Sequence, residues 1–389
     1  MESAQLRGER IGLCLSGGLS SLTVGAWLHD IGLNVTCFVA DIGQAPPEAV
    51  LSLVGDLRRV GIRAVAVDLR AQMAQTATEL LRYQARYDGG YWNTTGASRA
   101  VLVAGLAPYL REAGCTVLAH GCVGGGNDQH RFERYGAAYA PDLRVYAPWT
   151  DTEARQRFSD RQAMVDYITA VGLPLDPGSS ATHSTDGNLA GISHEEERLE
   201  DLGTAPTVVR PLMSVWPQDA PDRPETVSVR FERGLPVAVD GEAVDPLRAL
   251  LRSNEVAGRN GVWMRDVVEN RVNGTKCRGV YEAPGMELLG TALAEVYRVT
   301  VADRAYRLLE SLTAFVGGQD YEGRWAEPGT AAAKAGLDVF AAAATATAEV
   351  TLYKGTLRVA VRDYPAEADA ARQARFSTGG HHWQLVAGS

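Results

Sequence analysis

Over the first 170 residues, short apolar runs alternate with helix-spaced stretches, and every glycine-bearing loop that stands out follows one of the apolar runs. Residues 11–15, 34–40 (NVTCFVA), 63–68 (RAVAVD), 116–119 and 144–147 are the runs; helical patterns extend through Trp27 and Leu28 and from Pro47 to about Arg59. Strands that alternate with helices cannot pair as hairpins. They predict an α/β fold with a parallel sheet covered by helices on both faces. Ligands of such sheets sit beyond the carboxyl ends of the strands, where these loops lie.

The pattern breaks after Leu173. Residues 174–188 are rich in Pro, Ser, Thr, Gly and Asp, and residues 205–224 carry five prolines with no period, as an extended surface connection does. Two hairpin-like pairs follow, 227–231 with 236–239 and 350–352 with 356–361, and helical segments lie between them. The predicted organisation is a nucleotide-binding domain at 1–172, an α+β substrate domain at 173–365 and a polar tail at 366–389.

The charge balance narrows the partners. Net charge is −9 with both signs interspersed, so the basic face that releases counterions from nucleic acid is missing. The chain holds three lysines, Lys276, Lys334 and Lys354, so none precedes residue 276. A phosphate bound in the first domain must be held by backbone N–H groups, hydroxyls, arginine or a metal. Five scattered cysteines without a CxxC pair, an N-terminus without an apolar core and no run of about 20 apolar residues predict a cytoplasmic protein with reduced thiols and no membrane segment.

Three segments carry chemistry. Ser16-Gly17-Gly18-Leu19-Ser20-Ser21 follows a strand and opens a helix, as either a tight turn or a phosphate cradle of N–H and hydroxyl donors. It lacks the lysine of a Walker loop and the spacing of a dinucleotide fingerprint. From His120, the run Gly121-Cys122-Val123-Gly124-Gly125-Gly126-Asn127-Asp128-Gln129 also follows a strand, and a helix opens at Arg131. Its glycines supply backbone donors, Asn127 and Asp128 can grip amino and hydroxyl groups, and Arg131 offers a fork to a carboxylate; a flexible surface loop is the competing reading. The third segment runs from Val267 through Glu269, Asn270 and Arg271 to Lys276, Arg278, Tyr281 and Glu282, either a solvated charged face or a site.

Taken in order, these segments resemble the argininosuccinate synthase family of the PP-loop, or N-type ATP pyrophosphatase, group. LCLSGGLSS, VADIGQ (39–44), ARY (85–87), residues 120–133, APDLRVYAPW (140–149), NEVAG (254–258) and residues 267–282 carry the resemblance along nearly the whole chain. It implies ATP and Mg2+ as cofactors, with the metal carried by the nucleotide and no protein ligand assigned. The ureido oxygen of citrulline attacks the α-phosphorus, pyrophosphate leaves, and an amine, aspartate in the family, displaces AMP. By the same resemblance, Leu15, Ser16, Gly17, Gly18, Ser20, Ser21, Ala40, Arg99, His120, Gly121 and Gly126 line the nucleotide. Tyr87, Thr95, Gly96, Val123, Asn127, Asp128, Arg131, Ser184, Ser193, Glu269 and Tyr281 line the substrates, and Arg99, Asn127 and Asp128 are the catalytic set. Arg131 and the serines suit a carboxylate; Glu269 and Tyr281 suit an ammonium.

Departures from the family pattern cluster at two places. Ser20 replaces an aspartate and Leu22 a hydroxyl donor in the first loop; Val123 replaces a threonine and Gly125 a lysine in the second. Gly96 replaces a serine, and an aromatic insertion, DGGYWN at 88–93, precedes it. Tyr91 and Trp92 either cover an altered nucleophile site or form a packed loop. The main expectation is a specialised ATP-dependent carbon–nitrogen ligase of natural-product biosynthesis that joins a citrulline-like amino acid to a changed amine. The alternatives are argininosuccinate synthesis itself and a non-catalytic homologue that binds nucleotide or amino acid. An RNA thiolase of the same group would need a cysteine pair and a basic face. The resemblance implies a homo-oligomer; because the tail stops short of the long arm by which family members clasp their neighbours, dimer and tetramer both stay open.

Overall fold

A computed structural model of the chain describes residues 1–175, 183–262, 264–364, 374–377 and 384–387. Its first part is the parallel sheet. Strand β1 (Arg10–Leu15) is followed by α1 (Leu19–Asp30), β2 (Asn34–Asp41), α2 (Pro47–Arg59), β3 (Arg63–Asp68), α3 (Arg70–Arg82) and α4 (Thr94–Glu112). Then come β4 (Val117–His120), α5 (Asn127–Tyr139), β5 (Arg144–Tyr146), α6 (Thr152–Arg157) and α7 (Arg161–Val171). Sheet order is β3-β2-β1-β4-β5, every neighbour parallel. The five apolar runs are these five strands. In β1 every residue after Arg10 is buried, as a strand covered on both faces must be.

That order contains the feature that matters most for function. From β1 the chain winds outward to β2 and β3, then returns to place β4 on the other side of β1. The loops leaving β1 and β4 therefore part, and a crevice opens between them at the carboxyl end of the sheet.

The second part is antiparallel and helical. Hairpin β6 (His183–Asn188) and β7 (Gly191–Glu196) is followed by β8 (Glu225–Glu232), β9 (Leu235–Val239), β10 (Glu242–Ala243) and α8 (Pro246–Arg259). Next come hairpin β11 (Met264–Asn270) and β12 (Lys276–Glu282), then α9 (Pro284–Thr300), α10 (Asp303–Tyr321), α11 (Pro328–Ala341), β13 (Ala346–Tyr353) and β14 (Thr356–Arg362). The segments at 374–377 and 384–387 pair as a small ribbon, β15 and β16. The larger sheets run β10-β9-β8-β13-β14 and β11-β12-β7-β6. The extended connection is tied down by one carboxylate: Glu282 accepts from the backbone N–H of Leu212, Met213 and Ser214 at 2.8, 2.8 and 2.9 Å and lies 2.6 Å from His194 Nε2. This structural duty takes Glu282 out of the candidate site. Among the described residues no helix is long and apolar enough to cross a membrane.

Two sequence expectations shift. Helix α5 begins at Asn127, not Arg131, so Asn127 and Asp128 form its first turn instead of a loop. Residues 183–188, read as part of a loop, are strand β6, whose alternation is hidden by its polar composition.

Candidate functional site

The crevice is lined by two helix N-termini. Gly18 caps α1 and Gly126 caps α5, and neither has a side-chain cap, so first-turn N–H groups of both helices remain open. Gly17 takes φ +90°, which turns the chain from β1 into α1. The buried Ser21 hydroxyl donates to Gly18 O at 2.9 Å and lies 3.1 Å from Ser16 Oγ. The two loops abut. A Cβ built on Gly121 would lie 2.6 Å from Ser21 Cα, and Trp149 Nε1 fixes Gly121 by donating to its carbonyl at 3.1 Å. Leu15 and Ala40 are buried at the ends of β1 and β2, Ser20 is half-buried, and together they complete the rim.

Donors converge on the floor of this crevice. His120 Nδ1 accepts from Cys122 N–H at 3.2 Å, which places the ring proton on Nε2. Burial pushes the imidazole down to about 4, so it is a neutral donor. His120 Nε2 and Arg99 Nε are both buried without a hydrogen-bond partner among the described residues. Open helix N–H groups and two hydroxyls fit a polyphosphate, which needs donors and no lysine.

Next to it runs an ionic row. Arg99, on the buried face of α4, donates to Asp128 Oδ2 at 2.8 Å, and Arg131 donates to Asp128 Oδ1 at 2.8 Å. Burial pushes Asp128 upward, but the two guanidiniums outweigh it and hold the carboxyl well below the usual range. Arg99 also pairs with Asp186 on β6. Asp186 was not singled out in the sequence, although it lies two residues beyond Ser184 and shares its strand face. Thr95 on α4 bonds the Ser193 hydroxyl, joining α4 to β7.

The third element of the site is a buried carboxylate ringed by phenols. Glu269 on β11 faces Cys277 on β12, and Tyr281 shares that face. Gly279 lies between them; a Cβ there would sit 2.6 Å from Tyr281 Oη, so its absence lets the ring lie down toward Glu269. Tyr321, at the end of α10, donates to Glu269 Oε1 at 2.8 Å, and Tyr91 donates to Oε2. Tyr87 stacks on Tyr321 at 3.7 Å and Tyr91 on Tyr281 at 4.0 Å. Asn127 ties this cluster to α5: its Nδ2 donates to Tyr321 Oη at 2.8 Å and its Oδ1 accepts from Val272 N–H at 3.2 Å.

Side-chain contacts link many of the predicted residues in three groups: the two glycine loops, the Arg99–Asp128–Arg131 row, and the Asn127–Tyr321–Glu269 chain. Val123 stands at the tip of the second loop, 68% exposed. Gly96 leaves no room for a larger residue, because a Cβ there would strike the Asn93 amide that caps α4. The insertion splits in two. Trp92 packs on Gly290 under the stacked Arg86 guanidinium, 4.3 Å away, and donates to Glu287 at 3.2 Å, so it is a packed residue. Tyr91 reaches into the site. Lys276 bonds exposed Asn270 and stays outside. Tyr321 and Asp186 are the site members that the sequence did not single out, and Tyr91, offered there as a cover over the nucleophile site or a packed loop, bonds Glu269.

A parallel sheet with an uncapped glycine-rich helix N-terminus at its switch point, facing a second part with polar side chains, is the architecture of a nucleotide-binding α/β protein. Residues 10–174 match the argininosuccinate synthase N-terminal HUP domain and residues 183–384 the C-terminal domain of the same family. Argininosuccinate synthase of Rhodopirellula baltica is 34% identical over 96% of this chain and 93% of its own length; that of Pelotomaculum thermopropionicum is 36% identical over 89% and 86%. The chloroplastic argininosuccinate synthase of Arabidopsis thaliana is 34% identical over 94% and 74%. The chain belongs to the argininosuccinate synthase family.

Proposed function

We propose that this chain is an AMP-forming carbon–nitrogen ligase whose first substrate carries a ureido group and whose second is an amine. The names of its relatives favour citrulline and aspartate as the pair. The observation that carries the ligase reading is the packing of Gly121 on Ser21, which brings both glycine-rich loops to one crevice beside the Arg99–Asp128–Arg131 row.

The chemistry is chiefly positioning. ATP, with the magnesium it carries, supplies an α-phosphorus for attack by the ureido oxygen; pyrophosphate leaves, and the amine then displaces AMP from carbon. The open N–H groups of α1 with Ser16 and Ser21 hold the pyrophosphate as its charge develops. Arg99, fixed by Asp128 and Asp186, faces the nucleotide, and Asp128 keeps Arg99 and Arg131 apart at a set spacing. Homo-oligomer formation belongs to the same proposal and is read by light scattering.

A second reading, a specialised ligase with a changed substrate pair, is favoured by Val123 and by Tyr91. Val123 presents no hydroxyl at the tip of the second loop, and Tyr91 occupies Glu269. One assay separates the readings: ATP, magnesium and citrulline are incubated with and without aspartate, and pyrophosphate release and product mass are followed. Argininosuccinate supports the first reading. Pyrophosphate release without an aspartate adduct supports the second. ATP binding without turnover of any ureido acid and amine pair removes the ligase reading. V123T is expected to raise aspartate use about tenfold in kcat/KM, because one restored hydrogen bond contributes about 1–2 kcal/mol; unchanged aspartate use would dismiss the missing hydroxyl as the cause.

A further inference from the structure

Glu269 is 4% exposed, and its carboxylate is already spoken for. A carboxylate has about four acceptor positions. The Tyr91 and Tyr321 phenols and the Cys277 thiol, 3.3 Å away, donate to it, one oxygen accepting from Tyr91 and the other from Tyr321, and the Tyr281 ring stacks on Tyr91. Burial foremost, with the charge of Glu269 adding to it, holds the Tyr91 and Tyr281 phenols well above their ordinary range, so both remain protonated donors.

Tyr91 is held in that position from both sides. Tyr87 and Tyr91 exchange backbone hydrogen bonds of 3.0 and 3.1 Å. Asp88 accepts from Asn270 N–H at 3.0 Å, Trp92 is packed in the core, and Asn93 donates to Asp320 at 3.0 Å. Every neighbour of Tyr91 is anchored, so the phenol is a wall of the pocket and not a gate that swings.

We propose that Tyr91 is the specificity-determining residue of the acceptor pocket: it takes the Glu269 carboxylate that a substrate ammonium would otherwise reach, so the preferred acceptor is a ureido acid with no free ammonium at that end. This rests on the ligase reading above and sharpens its second form. An α-ammonium entering here must compete with the Tyr91 phenol for Glu269, and the other carboxyl in electrostatic reach, Glu195, is pushed above its usual range by burial. An acid without the ammonium makes no such demand.

The test uses the full chain with ATP and magnesium and two probes, citrulline and its desamino counterpart 5-ureidopentanoate. Binding is measured by calorimetry and turnover by pyrophosphate release. Wild type is expected to bind 5-ureidopentanoate at least tenfold more tightly than citrulline. Y91A is expected to tighten citrulline at least tenfold and to change the desamino acid less than threefold. Y91F keeps the ring and frees one acceptor position, so it gives a smaller shift in the same direction if Y91A does not fold. Wild type that binds citrulline as well as or better than the desamino acid overturns the proposal, as does wild type that binds neither probe. Tyrosine variants that weaken both probes equally, as a purely structural residue would, also overturn it. Pyrophosphate release with citrulline in wild type would leave the ligase reading standing while the proposal falls; loss of ATP binding would remove the ligase reading itself.

Discussion

Asp320 is a buried carboxyl with one oxygen bonded by Asn93 and the other, Oδ1, without a hydrogen-bond partner among the described residues. Burial pushes it up to about 7, against the smaller opposing effects of Arg131 and Asn93. Because the folded value lies above the unfolded one, its stabilisation is complete below about pH 4 and is lost as pH rises toward 7. D320N, which does not titrate, should therefore gain on wild type between pH 4 and 7 and hold that gain above it. A melting temperature roughly 2–4 °C higher at pH 8, with no difference near pH 4, is the expected result; a pH-independent difference would show that Asp320 is not the titrating group. Arg99 makes the opposite argument. Its removal leaves Asp128 and Asp186 without their shared cation, so R99A should lose about 3–5 kcal/mol in urea denaturation. R99K, which keeps a point charge without the fork, should retain most of the stability and lose pyrophosphate release. Sequence gave no sign of Tyr91 as a partner of Glu269, because the two are 178 residues apart and only the fold makes them neighbours.

At the scale of elements, β1 was legible because burial on both faces demands a continuous apolar run, whereas the edge strand at 63–68, exposed at Arg63, Val65 and Asp68, was legible from its β-branched and apolar residues alone. Strand β6 was not legible, since HSTDGN spends its face on Ser184 and Asp186 and so looks like a loop. Helix α5 was placed four residues late for a related reason: its first turn is Asn-Asp, which favours caps and turns as readily as helix. The candidate crevice depends on two such elements meeting. The contact of Gly121 with Ser21 leaves no space for a methyl group, so G121A must push the β4–α5 loop away from the α1 N-terminus. The expected outcome is a near-native circular dichroism spectrum with ATP binding weakened at least tenfold by calorimetry. ATP affinity equal to wild type would mean that the loops do not grip the nucleotide together.

At the scale of the whole molecule, the proposed division near residue 172 does not divide the core. One apolar cluster joins Phe38, Leu80, Leu106 and Leu110 of the first part to Leu250, Leu289, Leu293 and Val350 of the second. The contact follows from α3 and α4, which cover one face of the parallel sheet and turn their other sides toward α8, α9 and α10. A helix apolar on two sides cannot end a domain, because cutting the chain exposes one of them to water. Tyr83 and Arg82 add polar bonds across the same boundary, to Asp338 and from Tyr297. The two parts should therefore lose structure together. Calorimetry of the full chain should show one transition, moved upward by ATP and magnesium because the proposed nucleotide loops of the first part unfold together with the second. A fragment ending at residue 172 should aggregate, since the side of α3 that meets α8 and α9 and the side of α4 that meets α10 would lie bare. Two separate transitions, with ATP moving only the one that belongs to residues 1–172, would show that the shared core couples the parts too weakly to matter.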